Sequence, residues 1–274
     1  MMKRMIHGMT GVMLMALIAV SAYAKIDPGT MAGIWLFDDR SGDVATDSSG
    51  NGNDGVLTGG ADWTDGASVL FGSALELDGS GYVSVPDSAS LDMEAEVTLT
   101  CRVRTDVTMV DMWGDRQVVL GKHYEEYELG IYMSGQLHTY TSDLAADYDE
   151  GIMASIGGKQ PDGDDDWVEE KWYNITWTLD GTHEMAYVDG VLLGEYDKAH
   201  DGTMPGPNTF EIGQRVGGGL PVTGAIDDVG VFSVALDEED IIDIYDRGLA
   251  ASVGIAPVVP AGKLAATWGD LKSR

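Results

Sequence analysis

The feature that most constrains this chain is an alternation of period two, apolar then polar, broken at intervals by Asp-Gly and Gly-rich turns. The clearest stretch is "WYNITWTLDGTHEMAYVDGVLLGEY" at 172–196. Tyr173, Ile175, Trp177 and Leu179 share one face, Asp180-Gly181 reverses the chain, and Asp189-Gly190 reverses it again. Successive side chains on a strand point to opposite faces, and Asp-Gly supplies the positive φ angles of a tight hairpin. The stretch is expected to be a three-stranded antiparallel meander.

The same rhythm marks further strands at 33–37, 74–77, 82–85, 97–103, 117–122, 128–133, 136–141, 209–213 and 225–232. About a dozen strands with almost no helical periodicity predict an all-β, two-sheet antiparallel β-sandwich. Near the end the period changes. In "ALDEEDIIDIYDRGL" Asp237 can cap a helix, acids fill its first turn, Ile241 and Tyr245 make a stripe, and Gly248 stops it. One short C-terminal helix is expected.

The N-terminus reads as an address. Lys3 and Arg4 precede an apolar stretch from Gly11 to Val20, and Ala22-Tyr23-Ala24 offers the small residues of a cleavage site. Residues 1–24 are therefore expected to be a signal peptide, cleaved after Ala24, with the mature chain secreted or at the cell surface. An apolar run of roughly ten residues is too short to span a bilayer, and the sequence holds no longer one, so no membrane span is expected in the mature chain. The domain is placed at 25–250. A Pro-containing linker and a short basic tail occupy 251–274.

Charge narrows the partners. The chain carries 46 acidic against 16 Lys and Arg residues, a formal net charge of -30. Loss of Lys3 and Arg4 with the signal makes the mature value -30 - 2 = -32. Such a field repels phosphate backbones, which argues against nucleic acid as a partner, and it attracts divalent cations. With Cys101 as its single cysteine the chain has no internal disulfide, and its stability must come from a core. Cys101 itself falls on the apolar face of the 97–103 strand.

Four stretches together resemble the laminin-G-like, concanavalin A-like jelly-roll modules of secreted bacterial proteins. They are "GIWLFDDRSGDVATDSSGNGNDGVL", "ALELDGSGYVSVPDSASL", "KWYNITWTLDGTHEMAYVDGVLLGEY" and "GAIDDVGVFSVALDEEDIIDIYDRGL", and they occur in family order from 33 to 249. The resemblance implies a two-sheet jelly roll, often with one structural calcium on its convex side, and ligand binding on the concave face or rim. It leaves the partner open between a glycan and an extracellular protein.

In "DSSGNGNDG" (47–55) Asp47, Ser49 and Asn51 alternate before Gly52, as in the first half of a calcium loop. The twelfth position is Thr58 where such a loop needs Glu, so other ligands must come from elsewhere. The expected set is Asp38, Asp47, Asn51 and Asp227, with Asp227 preferred to Asp228 because it shares strand parity with Val229 and Val231. The alternative is a plain turn whose side chains bond their own backbone. A second acidic cluster, "PDGDDDW" at 161–167, reads as a solvated insertion, with a rim calcium that bridges to a ligand as the alternative.

For ligand binding the candidates are Trp113, Tyr124, Tyr127, Tyr140 and Trp167, aromatics in or beside the variable middle of the chain. The Glu-x-Asp-x-Glu strand of related sandwich glycosidases is missing. Its nearest substitute is Glu126 and Glu128 in "HYEEYEL". The expected function is recognition or adhesion, with calcium as a structural ion and catalysis not anticipated; a polysaccharide-active enzyme using Glu126 and Glu128, or a purely structural component, are the alternatives.

Overall fold

A computed structural model describes residues 26–68, 71–107, 116–132, 136–142, 148–151, 167–197 and 203–255. The expected signal segment, Trp113, the acids at 161–166 and the tail from 256 onward lie outside these residues.

The strands assemble into two eight-stranded antiparallel sheets. Sheet A contains β1 (Met31–Trp35), β4 (Ala61–Asp65), β5 (Ser73–Asp78), β7 (Val97–Thr105), β12 (Trp172–Leu179), β13 (His183–Val188), β14 (Val191–Asp197) and β16 (Thr223–Phe232). Its order is β14-β13-β12-β7-β16-β5-β4, with β1 also paired to β16. Sheet B contains β2 (Val44–Ala45), β3 (Gly55–Thr58), β6 (Tyr82–Val85), β8 (Gln117–His123), β9 (Tyr127–Ile131), β10 (Leu137–Ser142), β11 (Tyr148–Gly151) and β15 (Phe210–Ile212). Its order is β11-β10-β9-β8-β15-β6-β3-β2. The sandwich read from the alternation is the observed architecture.

The inward faces of the two sheets make the main core, in which Leu99, Cys101 and Val103 of β7 and Ile175 and Trp177 of β12 meet Val83, Leu129, Ile131, Phe210 and Ile212 of sheet B. Trp35 stacks on Phe210 with ring centroids 5.4 Å apart. Burial pushes the Cys101 thiol far up, so it packs as an inert hydrophobe. Removing such large buried groups deletes transfer energy and leaves a cavity as well.

A second cluster lies on the outer side of sheet A, where Ile34, Leu36, Tyr187 and Phe232 receive α1 (Glu238–Arg247) and α2 (Leu249–Ser252). Asp237 caps α1, its side chain accepting from Asp240 N. Two details differ from the sequence reading. The buried stripe of α1 is Ile241 and Ile244, spaced to face the sheet together, while Tyr245 is more than a third exposed. A single extra turn, α2, comes after Gly248.

The expected meander is present, but its two turns differ. Asp189 and Gly190 both take positive φ, 50° and 76°, in a two-residue hairpin loop. Between β12 and β13 only Gly181 is positive, and Asp180 Oδ1 closes that longer loop by accepting from Thr182 N and His183 N.

Strand β16 joins three neighbours. One edge pairs with β7 along nearly its whole length, while the other is shared, with β5 pairing at 223–226 and β1 at 229–232. The change of partner falls at Asp227-Asp228. There a bulge shifts the register against β7 and Asp228 takes φ 49°.

Candidate functional site

The junction on β16 gathers acids. Asp38 lies just beyond β1, Ser73 begins β5, and the Ser73 N–H donates to Asp38 Oδ1 at 3.1 Å. Gly72 has φ 65°, and a Cβ placed on it would collide with Asp38 Oδ1, so glycine is required on both counts. A Cβ built on Gly66 would stand 2.8 Å from both Asp227 Oδ2 and the Phe71 carbonyl oxygen. Those two oxygens therefore flank Gly66.

Asp227 is fully buried; its Oδ1 accepts from Asp228 N at 2.8 Å, and its Oδ2 has no hydrogen-bond partner. Burial, with the Asp228 charge adding to it, pushes the Asp227 carboxyl well above the usual range. Burial raises Asp38 too. A buried anionic oxygen left without a donor is costly, and a cation is the natural remedy. Among the described residues no group of three or more His, Cys, Asp or Glu side chains is arranged to hold a metal. An ion here would rest on two carboxylates, main-chain carbonyl oxygen and water, a hard oxygen set of the kind calcium takes.

Asp227 does not share the face of Val229 and Val231, as simple alternation expects. Ile226, Val229 and Val231 lie in the core between the sheets, and the bulge leaves Asp227 on the other face, opposite Arg102. Asp228 turns to Arg102 Nε at 3.7 Å and accepts from Leu249 N at 3.3 Å. Burial raises its carboxyl to about 6 despite the opposing Arg102 charge. Arg102 in turn donates to the Tyr245 carbonyl at 2.8 Å and lies 3.8 Å from the Phe71 ring centroid, tying the C-terminal end of α1 to the acid junction.

Asp47 and Asn51, expected beside Asp38 and Asp227, have another occupation. Asp47 Oδ1 accepts from the N–H groups of Ile34 and Ser49, and Oδ2 from Ser49 Oγ and Asn53 N, all at 2.8 to 3.0 Å. Asn51 Nδ2 donates to the carbonyls of Met31 and Ala32. The loop is a turn that buckles itself to β1. The Asp47 oxygens face three N–H donors and one hydroxyl, a poor setting for a cation, and the residues the loop touches are not those around Asp38 and Asp227.

The second constellation lies on the outer face of sheet B. One row of paired residues crosses it in the order Val44, Val56, Ser84, Glu211, Gly121, Glu128, Tyr140. Glu128 is ion-paired to Arg215, whose Nε donates to Oε2 at 2.9 Å and whose Nη2 reaches Oε1. The Arg215 guanidinium lies 5.2 Å from the Tyr140 ring centroid and 5.4 Å from that of Tyr124. His138 packs edge-on against Tyr140, centroids 4.2 Å apart, and Arg116 Nη1 donates to Tyr140 Oη at 3.4 Å. Burial, reinforced by the charges of Arg116 and Arg215, takes His138 down to about 3, so it is neutral at ordinary pH. Across Gly121, Glu211 accepts from Gln214 Nε2 at 2.7 Å, and burial raises its carboxyl.

Of the five aromatic candidates, Tyr124 and Tyr140 meet in this cluster. Tyr127 does not. Its ring sits in the core 6.2 Å from Phe210 and its hydroxyl donates to the Leu91 carbonyl, because odd positions of β9 point inward. Trp167 packs against sheet A, its ring 4.1 Å from Tyr173 and its Nε1 donating to Thr105 Oγ1. Glu126 and Glu128 are not a facing pair. Glu126 points into a rim cluster with Lys122 and accepts from Gly206 N and Asn208 Nδ2. Lys122, fully buried, also meets Asp87, Asp92 and the Gly206 carbonyl. Glu211, Gln214 and Arg215 were not singled out from the sequence; the alternation of Phe210, Glu211 and Ile212 marks Glu211 as outward, but nothing local places Arg215 against Glu128.

A family model, Laminin_G_3, described as the concanavalin A-like lectin/glucanases superfamily, matches residues 77–242. The chain belongs to this superfamily. Several solved superfamily-like sandwiches share the fold. Domain 4 of AbnA, an extracellular arabinanase from Geobacillus stearothermophilus, solved in complex with arabinotriose, aligns with TM-score 0.60 and 17% identity over 79% of this chain and 98% of that one. A structure of botulinum neurotoxin type C, whose cell entry depends on interaction with two ganglioside molecules, aligns with TM-score 0.57 and 14% identity over 80% of this chain. The binding domain of botulinum neurotoxin DC in complex with SialylT aligns with TM-score 0.58 and 14% identity, also over 80%. The chain spans about half the length of those toxin chains, 51% and 52%. No curated protein matches the sequence. Among the described residues of this concanavalin A-like domain no helix is long and apolar enough to cross a membrane.

Proposed function

We propose that this superfamily member is a secreted glycan-recognition module, binding through the outer face of sheet B and stabilised by calcium at the Asp38–Asp227 junction. The observation that carries the recognition reading is the half-buried pair Tyr124 and Arg215, with Tyr140 and Glu128 buried behind them on that face. Aromatic faces cover the C–H surface of a sugar ring, while fixed carboxylate, amide and guanidinium groups answer its hydroxyls. Glycan-bound relatives of the same fold support the reading. So does the leader-like N-terminus, which would place the module where glycans are met.

For calcium, the support is the partnerless Asp227 Oδ2 beside the Phe71 carbonyl and the raised carboxyls around it. Asp38 and Asp227 would hold the ion. Calcium would supply positive charge that lets both carboxylates ionise and so would pin β1, β5 and β16 together.

The test is a glycan array probed with the mature chain, repeated with Tyr124→Ala. Binding that falls about tenfold or more in the variant supports the site, whereas retention of ligand by Tyr124→Ala would move it elsewhere. Silence across the array would end the recognition reading.

A further inference from the structure

We infer that the basic, tryptophan-bearing segment 263–274 of this chain docks on an exposed apolar patch where α1 meets the β13–β14 hairpin. The inference goes beyond glycan recognition and uses neither the outer face of sheet B nor the acid junction.

The patch is open to solvent. Val191 is 46% exposed, Leu192 39%, Ile242 39% and Tyr245 37%, and these four make up half of the large apolar side chains that stand exposed among the described residues. They are also neighbours. A Cβ built on Gly190, in the hairpin loop, would stand 3.4 Å from Tyr245 Cβ and 3.6 Å from Ile242 Cα, so the turn rests directly on the helix. Leu192 pairs with Tyr187 and shares the outer face of sheet A with it, and Tyr187 belongs to the cluster that receives α1. Among the described strands β14 is the outermost of sheet A, so the patch runs on to a sheet edge.

Acids surround it. On α1, Glu238, Glu239, Asp240, Asp243 and Asp246 stand against the single base Arg247, and β14 adds Glu195 and Asp197. Burial raises the Tyr187 hydroxyl, and the charges of Glu238, Glu195 and Asp237 add to that effect, which places those carboxylates around the patch. An occupant suited to this surface is apolar along one side and carries positive charge at its flanks.

The segment "KLAATWGDLKSR" has that chemistry. Leu264, Trp268 and Leu271 recur at the three-to-four-residue spacing by which an amphipathic ligand presents one apolar side, while Lys263, Lys272 and Arg274 outnumber Asp270. Its tether is long enough. Ile255 packs against the same cluster as Tyr187, Ile241 and Ile244. From there residues 256–262, at about 3.3 Å each, reach about 23 Å, more than the roughly 15 Å length of α1. Attachment to the same chain gives an effective concentration on the order of millimolar, so a modest contact suffices. A second copy fits less well, because it brings the same acidic rim and a net charge of -30.

The experiment is tryptic cleavage after Lys263 in the chain from Lys25 to Arg274, followed by mass spectrometry at low and at high salt. Cleavage of a segment that docks and undocks quickly tracks its undocked population. The expected result is slow cleavage at low salt, at least about tenfold faster in Ile242→Lys and in Trp268→Ala, with the gap narrowing as salt screens the charges. Equal rates in all three chains would overturn the docking. So would acceleration in Trp268→Ala alone, which would put the segment on another surface. Protection that grows with protein concentration, together with a doubled mass in light scattering, would give the patch to a second copy and overturn the inference as well.

Discussion

Lys122 shows how much a single side chain can hold. Its ammonium is fully buried among Asp87, Asp92, Glu126 and the Gly206 carbonyl, so it joins the β6–β7 loop, the β8–β9 hairpin and the 203–208 segment. Burial alone would lower its pKa; the hydrogen bonds it donates to Asp87 and Asp92 and the Glu126 charge outweigh that and raise it. Lys122→Met keeps the stem and removes the charge, leaving three carboxylates facing one another, and should cost about 3 to 5 kcal/mol in urea unfolding. A loss below about 1 kcal/mol would show that the cluster is dispensable. Asp228 gives the residue-level pH prediction. Its native carboxyl at about 6 lies above its ordinary 3.8, so between those values the native state binds the extra proton. Its contribution therefore weakens stability as pH rises through that window and restores it as pH falls. In chelator, Asp228→Asn should flatten that part of the stability-pH curve relative to wild type; parallel curves would contradict it.

Among the elements, β16 and α1 carry the consequences. The strand's outer edge is divided between β5 and β1, and the bulge at the division turns Asp227 and Asp228 away from the core that Ile226 and Val229 enter. Neither the divided edge nor the bulge has a local sequence signal, which is why simple alternation put Asp227 with Val229 and Val231. The helix was readable, because its cap is local chemistry: Asp237 answers Asp240 N, and three acids occupy the positive end of the dipole. Asp237→Ala should lower stability by about 1 kcal/mol without changing the fold, measured by denaturant midpoint at constant m-value. At its other end the helix depends on distant Arg102, donated by β7 through the sheet. The 47–55 loop is the complementary case. Its turn residues were evident, yet only the position of β1 beside it decided that Asp47 would collect four donors.

At the scale of the whole molecule, the acid junction predicts metal dependence. Calcium that binds the native state alone at 100 times its dissociation constant should add about 2.7 kcal/mol, read as a rise in unfolding temperature over chelator. Asp227→Asn should abolish the calcium increment while raising the stability of the metal-free protein, since it removes a buried carboxyl whose ionisation burial opposes. An unchanged melting curve with calcium would remove the ion from the account. The sequence by itself determined the paired sheets, the meander, the capped helix and the inert cysteine, because each arises from repeating polarity or from contacts within a few residues. Only the tertiary structure decided that Glu211 faces Glu128 across Gly121, that Arg215 rather than Glu126 answers Glu128, and that Tyr127 and Trp167 are packing groups. Those relations join strands far apart in the chain, and strand order and register, which bring them together, leave no trace in the local alternation.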